Sequence, residues 1–267
     1  MEDLIAREYK RIIESNQTLQ YGFEWGTTMH IPFRAVSPNG LYSKFLRVIV
    51  KDEEKFLYLE HEMHKEMFSK ILEILRNPQE HRKWYFEGPP GIGKSCALLY
   101  IVLVLRKFLS NEFRVIYINN PFVLERSSFV NELIYAFAED EKEFSALSPS
   151  LREFTLEQWH KHLFETEINE REATYQEFFE AAQKICLKKN LKIIGVFDQE
   201  NEALHQKKQD DYNFPYSYYN NIPGVDYLIT CASTSNWHIV NKSLAWQNLT
   251  TKMNISFRKF AFSGKLE

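Results

Sequence analysis

The residues best suited to chemistry lie in one glycine-rich segment, GPPGIGKS, which runs from Gly88 to Ser95. The segment matches the pattern G-x-x-x-x-G-K-[ST] in full, and this pattern is typical of a loop between a strand and a helix. Glycines let backbone amides approach phosphate oxygens closely, and the helix that follows directs its positive end at the same anion. The sequence therefore predicts a site for the phosphates of a nucleotide.

Each residue of this phosphate loop has an expected role. We expect Lys94 to bridge the β- and γ-phosphates of ATP and the Ser95 hydroxyl to ligate Mg²⁺. The alternative is a glycine-rich turn without a ligand, and the complete pattern disfavours it. The predicted nucleotide-binding residues are Gly88, Pro89, Pro90, Gly91, Ile92, Gly93, Lys94, Ser95 and Cys96.

An acidic residue at the end of a buried strand supplies the second part of such a site. The apolar run Leu191 to Phe197 predicts a strand that is buried on both faces, and Asp198 follows it directly. A carboxylate at the end of a neighbouring strand holds Mg²⁺ in phosphate-loop enzymes. We therefore expect Asp198 and Ser95 to be the metal-binding residues; the alternative for Asp198 is an acid in a surface turn.

The two residues after Asp198 bear on whether a bound nucleotide is hydrolysed. Gln199 can orient a water molecule but cannot accept its proton, and Glu200 lies one position further on. In an extended segment, Asp198 and Glu200 point to the same side because side chains alternate with a period of two. We therefore expect Glu200 to serve as the general base and Gln199 to position water.

A further strand is predicted at Val225 to Cys231, and small polar residues follow it. We expect Asn236 or Ser235 to contact the γ-phosphate and the attacking water; the alternative is that these residues cap a following helix. A GTPase is disfavoured because the sequence NKSL at 241–244 lacks the aspartate of the guanine-binding motif.

The elements that must position these residues alternate between strands and helices after residue 80. Such alternation predicts an α/β fold, a P-loop NTPase with a mainly parallel sheet flanked by helices. The long separation between Lys94 and Asp198 indicates additional helices before the last part of the site. The predicted strands are 84–87, 114–119, 191–197, 225–231 and 252–257, and the predicted helices are 94–109, 124–139, 155–168 and 172–189.

The first 80 residues have a different pattern. Periodic apolar residues predict helices at 1–20 and 52–76, with a strand-like run at 45–50 and Asn77-Pro78 ending the second helix. We therefore predict two parts, a mostly helical N-terminal extension over 1–80 and an NTPase core over 81–267.

Composition excludes several classes of protein. With 44% hydrophobic and 26% charged residues, the 267-residue chain is typical of a globular protein. A net charge of −3 gives no sign of a nucleic-acid partner, and the three widely spaced cysteines fit no disulfide framework. The charged N-terminus has no signal peptide, and the longest apolar run, Ala97 to Leu105, is too short for a membrane. We therefore expect an intracellular chain without a membrane partner.

Three segments together, GPPGIGKS, VFDQEN and ITCASTSN, resemble the P-loop ATPase module of the Crinkler effectors and of the related retrotransposon hot spot proteins. The magnesium motif of that group is typically Asp-Gln followed by a spaced Asn, which Asp198, Gln199 and Asn201 match. The resemblance covers residues 80–257. It implies an AAA+/STAND-like ATPase that binds ATP and Mg²⁺ and hydrolyses ATP slowly.

The resemblance also carries implications for partners and location. Full-length members join this module to a trafficking header and an effector domain, and many act in a host nucleus as secreted effectors. Residues 1–80 show no header motif here, and nothing nuclease-like or kinase-like follows residue 257. Because Arg258 is the only late arginine, a second copy of the chain or another protein is expected to supply a catalytic arginine.

Two further readings of the residues remain open. One is a nucleotide-gated switch or protein-interaction module that binds ATP without hydrolysing it, with Gln199 in place of a base. The other is phosphotransfer to a small molecule, for which the sequence shows no acceptor pocket.

Overall fold

The structure is a computed structural model in which two β-sheets and seven α-helices are described. It describes residues 2–21, 28–32, 47–50, 53–59, 62–77, 83–88, 94–118, 126–146, 154–167, 170–198, 226–233 and 254–256. The helices are α1 (Glu2–Tyr21), α2 (Glu62–Arg76), α3 (Lys94–Phe108), α4 (Arg126–Ala136), α5 (Glu141–Ser145), α6 (Leu156–Glu165) and α7 (Arg171–Lys189), with a 3-10 turn at Ala138–Asp140. The strands are β1 (Thr28–Pro32), β2 (Arg47–Val50), β3 (Glu53–Leu59), β4 (Lys83–Gly88), β5 (Phe113–Ile118), β6 (Lys192–Phe197), β7 (Tyr227–Ser233) and β8 (Asn254–Ser256).

The larger sheet has five strands in the order β5-β6-β7-β4-β8, and every neighbouring pair is parallel. Its first three strands in the chain, β4, β5 and β6, alternate with helices α3 to α7, and β7 and β8 complete the parallel sheet, which confirms the predicted α/β class with a parallel sheet flanked by helices. Helices α4 to α7 all lie between β5 and β6 in sequence, as the long spacing before Asp198 predicted. Because all five strands run in one direction, their carboxyl ends meet at one edge of the sheet.

Helix α3 is central to the packing of this sheet. Its residues from Ala97 to Leu105 are all buried, because α3 packs against β4 and β5 and also against α1 and α2. A helix that is covered all round needs apolar residues on every face, which explains why its sequence lacks an amphipathic pattern. The first residue of α3 is thereby held against the sheet.

Strand β5 forms one edge of the sheet, and a side chain from α3 bonds to its backbone. Arg106 on α3 donates to the carbonyl oxygen of Val115 at 2.9 Å and to Oε2 of Glu132 on α4 at 3.1 Å. Both charged side chains are buried, and the Arg106 guanidinium lies 4.4 Å from the ring centroid of Tyr135. Arg106 therefore joins α3, α4 and β5 through buried polar contacts.

Helices α1 and α2 share the hydrophobic core of the sheet. Tyr9 and Ile12 of α1 and Ile71 and Leu75 of α2 are buried in the same cluster as Phe197 of β6. The helix predicted at 1–20 is thus confirmed, as is the part of the helix predicted at 52–76 that corresponds to α2, and each has an apolar face in this core. The predicted division of the chain at residue 80 stays a prediction.

The segment before α2 corrects one sequence prediction. A single helix was predicted over 52–76, but Glu53–Leu59 is a strand, β3, which pairs antiparallel with β1 and β2. Phe56 and Leu59 have helical spacing, yet hydrogen bonds to two partner strands outweigh this short local pattern. The N-terminal part therefore contains a three-stranded sheet, and β1 was not predicted at all.

Local sequence signals determine where helix α6 begins and where helix α7 ends. Thr155 accepts a hydrogen bond from the Gln158 backbone at 3.1 Å, and the Gln158 side chain accepts one from the Thr155 backbone at 2.8 Å. This capping box begins α6. Asn190, with φ of 54°, ends α7 in the left-handed conformation. The turn leads directly into β6, whose last residue precedes Asp198.

Candidate functional site

The phosphate-loop motif lies where its mechanism requires. Strand β4 ends at Gly88 and helix α3 begins at Lys94, so the motif connects a strand to a helix as predicted. The connecting residues 89–93 lie outside the described residues. Ser95 and Cys96 are partly exposed in the first turn of α3.

The electrostatics at the start of α3 favour an anion. Lys94 is only 8% exposed, and the first turn of the helix contains no acidic residue. The N-terminus of a helix carries a partial positive charge, so a lysine there is disfavoured by about 0.3–1 kcal/mol unless an anion compensates. Placing a buried cation at the positive end of a 15-residue helix therefore creates a strongly anion-attracting position.

Asp198 lies at the same edge of the sheet. It follows β6 directly and is 3% exposed, and its backbone N–H donates to the carbonyl oxygen of Ile118 at 2.8 Å. Ile118 is the last residue of β5, so this hydrogen bond joins the carboxyl ends of two neighbouring strands. The carboxylate is thus positioned by the backbone of the sheet.

The strand register relates this carboxylate to the phosphate loop. Phe197, the residue before Asp198, is level with Thr230 of β7, and Gly88 is level with Ser233 of the same strand. Strand β7 therefore separates the two halves of the site, which places β4 and β6 about 10 Å apart across the sheet. The register also brings Ser233 to the site, a residue that the sequence prediction passed over in favour of Ser235 and Asn236.

The chain connections leave two neighbouring strands, β4 and β7, in opposite directions along the sheet. From β4 the chain proceeds to β5 at one side of the sheet, whereas from β7 it proceeds to β8 at the other side of β4. Neighbouring strands whose connections leave in opposite directions form a topological switch point, and ligands of open α/β sheets bind outside the carboxyl ends of such strands. Gly88 and Ser233 are the terminal residues of these two strands.

The donor set fits magnesium bound together with phosphates. Among the described residues, no group of three or more His, Cys, Asp or Glu could hold a metal by itself. Magnesium in nucleotide sites needs no such group, since it keeps several waters and takes one or two protein ligands besides the phosphates. A Ser95 hydroxyl and an Asp198 carboxylate fit that requirement.

Other predicted site residues lie outside the described part of the chain, and their roles stay predictions. In the phosphate loop these are Pro89, Pro90, Gly91, Ile92 and Gly93. After the two later strands they are Gln199, Glu200, Asn201, Ser235, Asn236 and Arg258.

A second group of charges, which we call the charge cluster, lies away from this edge and comprises the buried Arg114 and Asp140 and the more exposed Glu143 and Lys189. Asp140 is fully buried and accepts hydrogen bonds from Arg114 Nη2 at 2.8 Å and Lys189 Nζ at 2.7 Å. Lys189 also donates to Glu143 Oε1 at 2.8 Å. Burial opposes the charge on Lys189, but the bonds to both carboxylates outweigh it and raise its pKa. Sequence offered no signal for this cluster, because its members are far apart along the chain.

Among the described residues, no helix has the length and apolar character needed to cross a membrane. No protein-family model matches the chain, and no curated protein matches it.

Proposed function

We propose that the chain is a P-loop NTPase of the AAA+/STAND-like type that binds ATP with Mg²⁺ and hydrolyses ATP slowly. The observation that carries this proposal is the buried Lys94 at the first position of α3, directly after a complete phosphate-loop motif that follows β4. Both the helix terminus and the lysine attract an anion there.

The strand order supports the proposal independently of the motif. Strand β7 lies between β4, which leads into the phosphate loop, and β6, which leads into Asp198. Additional-strand ATPases have a strand in that place, and it ends beside both the phosphates and the attacking water. The resemblance to the Crinkler module, which rests on the same three segments of sequence, agrees with this arrangement. A secreted effector that acts in a host nucleus is the corresponding proposal for its biology.

Each residue at the edge has a distinct task in this proposal. Lys94 holds the phosphates by charge, while Ser95 and Asp198 hold Mg²⁺. Bound Mg²⁺ neutralises charge on the phosphates during transfer. Asp198 is buried, and its backbone hydrogen bond to Ile118 fixes the main chain that carries the carboxylate, which favours binding of an ion over a flexible surface contact.

Hydrolysis in this proposal depends on residues after the two later strands. Gln199 positions water, Glu200 accepts its proton, and Asn236 contacts the γ-phosphate. A second copy of the chain or a protein partner supplies an arginine, with Arg258 as the candidate within the sequence. If Glu200 does not act as a base, the same site serves a nucleotide-gated switch, which is the second candidate function.

Nucleotide binding is tested first, by titrating the purified chain with a fluorescent ATP analogue in the presence of Mg²⁺. We expect Lys94→Ala to weaken binding by at least about 100-fold, because a charge-assisted phosphate contact is lost. Lys107→Ala removes a lysine from the last turn of the same helix and is the matched control, with affinity unchanged. Equal affinities of the wild type and Lys94→Ala would contradict the proposal.

Hydrolysis is tested by single-turnover release of phosphate at saturating enzyme. The enzyme proposal expects release that Lys94→Ala abolishes and Glu200→Gln slows by about 100-fold or more. Tight ATP binding without any release would support the switch. Asp198→Asn preserves the shape of the side chain, and we expect it to remove the Mg²⁺-dependent part of nucleotide affinity.

A further inference from the structure

A buried histidine lies where three helices meet. His160 of α6 is fully buried, and α6 packs against both α1 and α4. Its Nε2 lies 2.9 Å from Oδ1 of Asn131 on α4, and the Asn131 amide donates to Oε2 of Glu8 on α1 at 3.4 Å. An amide oxygen only accepts, so Nε2 carries the proton and Nδ1 does not. The three helices are thus joined through His160.

The second ring nitrogen of His160, Nδ1, lies among aromatic side chains. Within the described part of the chain, Nδ1 of His160 has no hydrogen-bond partner, and its ring neighbours are the aromatic side chains of Tyr9 and Phe164 at 6.0 and 6.1 Å between centroids. A proton added at Nδ1 would create a buried positive charge without an acceptor, which is strongly unfavourable. Burial accordingly lowers the pKa of His160 to about 4.

The charged groups on the surrounding helices are engaged with other partners. On α1, Glu8 pairs with Arg11, and Tyr9 donates its hydroxyl to Oε1 of Glu141 on α5 at 2.8 Å. None of these contacts directs a carboxylate at the imidazole.

The charged residue Glu132 of α4 and the contact between α7 and α6 likewise involve residues other than His160. On α4, Glu132 pairs with Arg106 of α3, and α7 meets α6 through an aromatic contact between Phe178 and Trp159. On α6 itself, Glu157 lies near Tyr9. Burial raises the pKa of Tyr9 most, Glu141 raises it further, and Glu157 makes the smallest contribution. In the described residues, therefore, His160 has no ion-pair partner.

We propose that His160 is an acid sensor whose protonation releases α1 from α4 and α6. Separation of α1 would expose the imidazole to water and return its pKa to the ordinary value. Because α1 also packs on α3, its release would loosen the helix that begins with Lys94. The proposal rests on the packing of the three helices and does not depend on nucleotide binding.

The direction of the pH effect follows from the two states of His160. With α1 docked, the pKa lies at about 4, and in the released state it returns to the ordinary value of 6.5. Docking is therefore at full strength above pH 6.5, where the imidazole is neutral in both states. As the pH falls from 6.5 toward 4, the released state binds a proton that the docked state does not. The equilibrium then shifts toward release by up to about tenfold per pH unit.

The test is hydrogen–deuterium exchange of the full chain between pH 7.5 and 4.5, corrected for the intrinsic pH dependence of exchange. We expect α1 to lose protection progressively below pH 6.5 while β6 remains protected. His160→Gln retains a donor toward Asn131 but cannot be protonated, and its α1 should keep the same protection at every pH. His162→Gln, on the same helix but partly exposed, is the matched control and should behave like the wild type.

Three outcomes would overturn the proposal: α1 protection that does not change with pH, the same pH dependence in His160→Gln, or loss of protection in α1 and β6 together. If His160→Gln does not fold, NMR titration of the histidine ring protons in the wild-type chain decides. Proton uptake by His160 that coincides with exchange in α1 supports the proposal, and uptake at an unrelated pH refutes it.

Discussion

The carboxyl edge of the sheet and the charge cluster both bury charged side chains, but they differ in where the positive charge lies. In the cluster, Arg114 and Lys189 donate to the fully buried carboxylate of Asp140. At the edge, Lys94 occupies the N-terminus of α3, where the backbone is itself positive. The cluster thus joins opposite charges in hydrogen-bonded pairs, and at the edge a buried lysine occupies the first position of a helix.

We expect the charge cluster to contribute to stability, whereas the proposed function assigns the edge to binding. Removing one member of a buried ion pair leaves an uncompensated charge, so Asp140 is expected to matter for folding. A lysine at the positive end of a helix opposes stability, and local rules are typically broken in this way at functional sites. The three predictions below compare the two regions directly.

The largest effect is expected in the charge cluster. Asp140→Ala leaves Arg114 buried without its main acceptor, and we expect the free energy of unfolding to fall by about 3–5 kcal/mol in urea titrations. Glu143→Gln alters a partly exposed member of the same cluster and should cost less than about 1 kcal/mol. If the two variants are equally stable, the cluster does not contribute as a buried network.

The cysteines of the two regions should differ in reactivity. Burial, with a further contribution from nearby Asp140, raises the pKa of Cys186 to about 12, whereas Cys96 is partly exposed in the first turn of α3. Relative to a thiol at the ordinary value of 9.0, about a thousandfold less Cys186 is thiolate at pH 8. Iodoacetamide followed by peptide mass spectrometry should modify Cys96 but spare Cys186, and ATP with Mg²⁺ should protect Cys96. Rapid labelling of Cys186 in the folded chain would contradict its burial.

The smallest effect on stability is expected at the edge. Lys94→Met keeps the apolar stem of the side chain and removes a cation that the helix terminus disfavours, so the free energy of unfolding should change by less than about 1 kcal/mol. Lys189→Met makes the same change in the charge cluster, where it removes a partner of Asp140 and should destabilise the chain. A loss of stability in Lys94→Met that matches Lys189→Met would make Lys94 a structural residue.

Much of the fold could be predicted because its elements carry strong local patterns. The buried strand at 192–197 and the apolar helix at 94–108 are visible in the sequence as continuous apolar runs. Strand β3 could not be predicted, since its pairing with β1 and β2 depends on residues that are distant in sequence. The strand order of the larger sheet likewise arises from tertiary packing and leaves no local pattern.

Functional residues, too, differ in whether the sequence alone could point to them. The predicted phosphate loop is contiguous and carries its chemistry in a single motif, so Lys94 and Ser95 could be proposed as site residues from spacing alone. His160 gave no comparable signal, because its properties come from burial beneath α1 and from Asn131 on another helix. Residues whose role depends on partners in several elements become visible only in the folded chain.

The strand order has a consequence for how the site forms during synthesis. Strand β4, which leads into the phosphate loop, has as its neighbours β7 and β8, both of which follow it by more than a hundred residues. Long-range pairing of this kind forms slowly, and a growing chain cannot form it before the later strands have been made. A nascent chain that ends before residue 227 therefore carries the phosphate-loop motif without β7 to close the site. On the proposed function, competence to bind nucleotide should then appear only after β7 has been made.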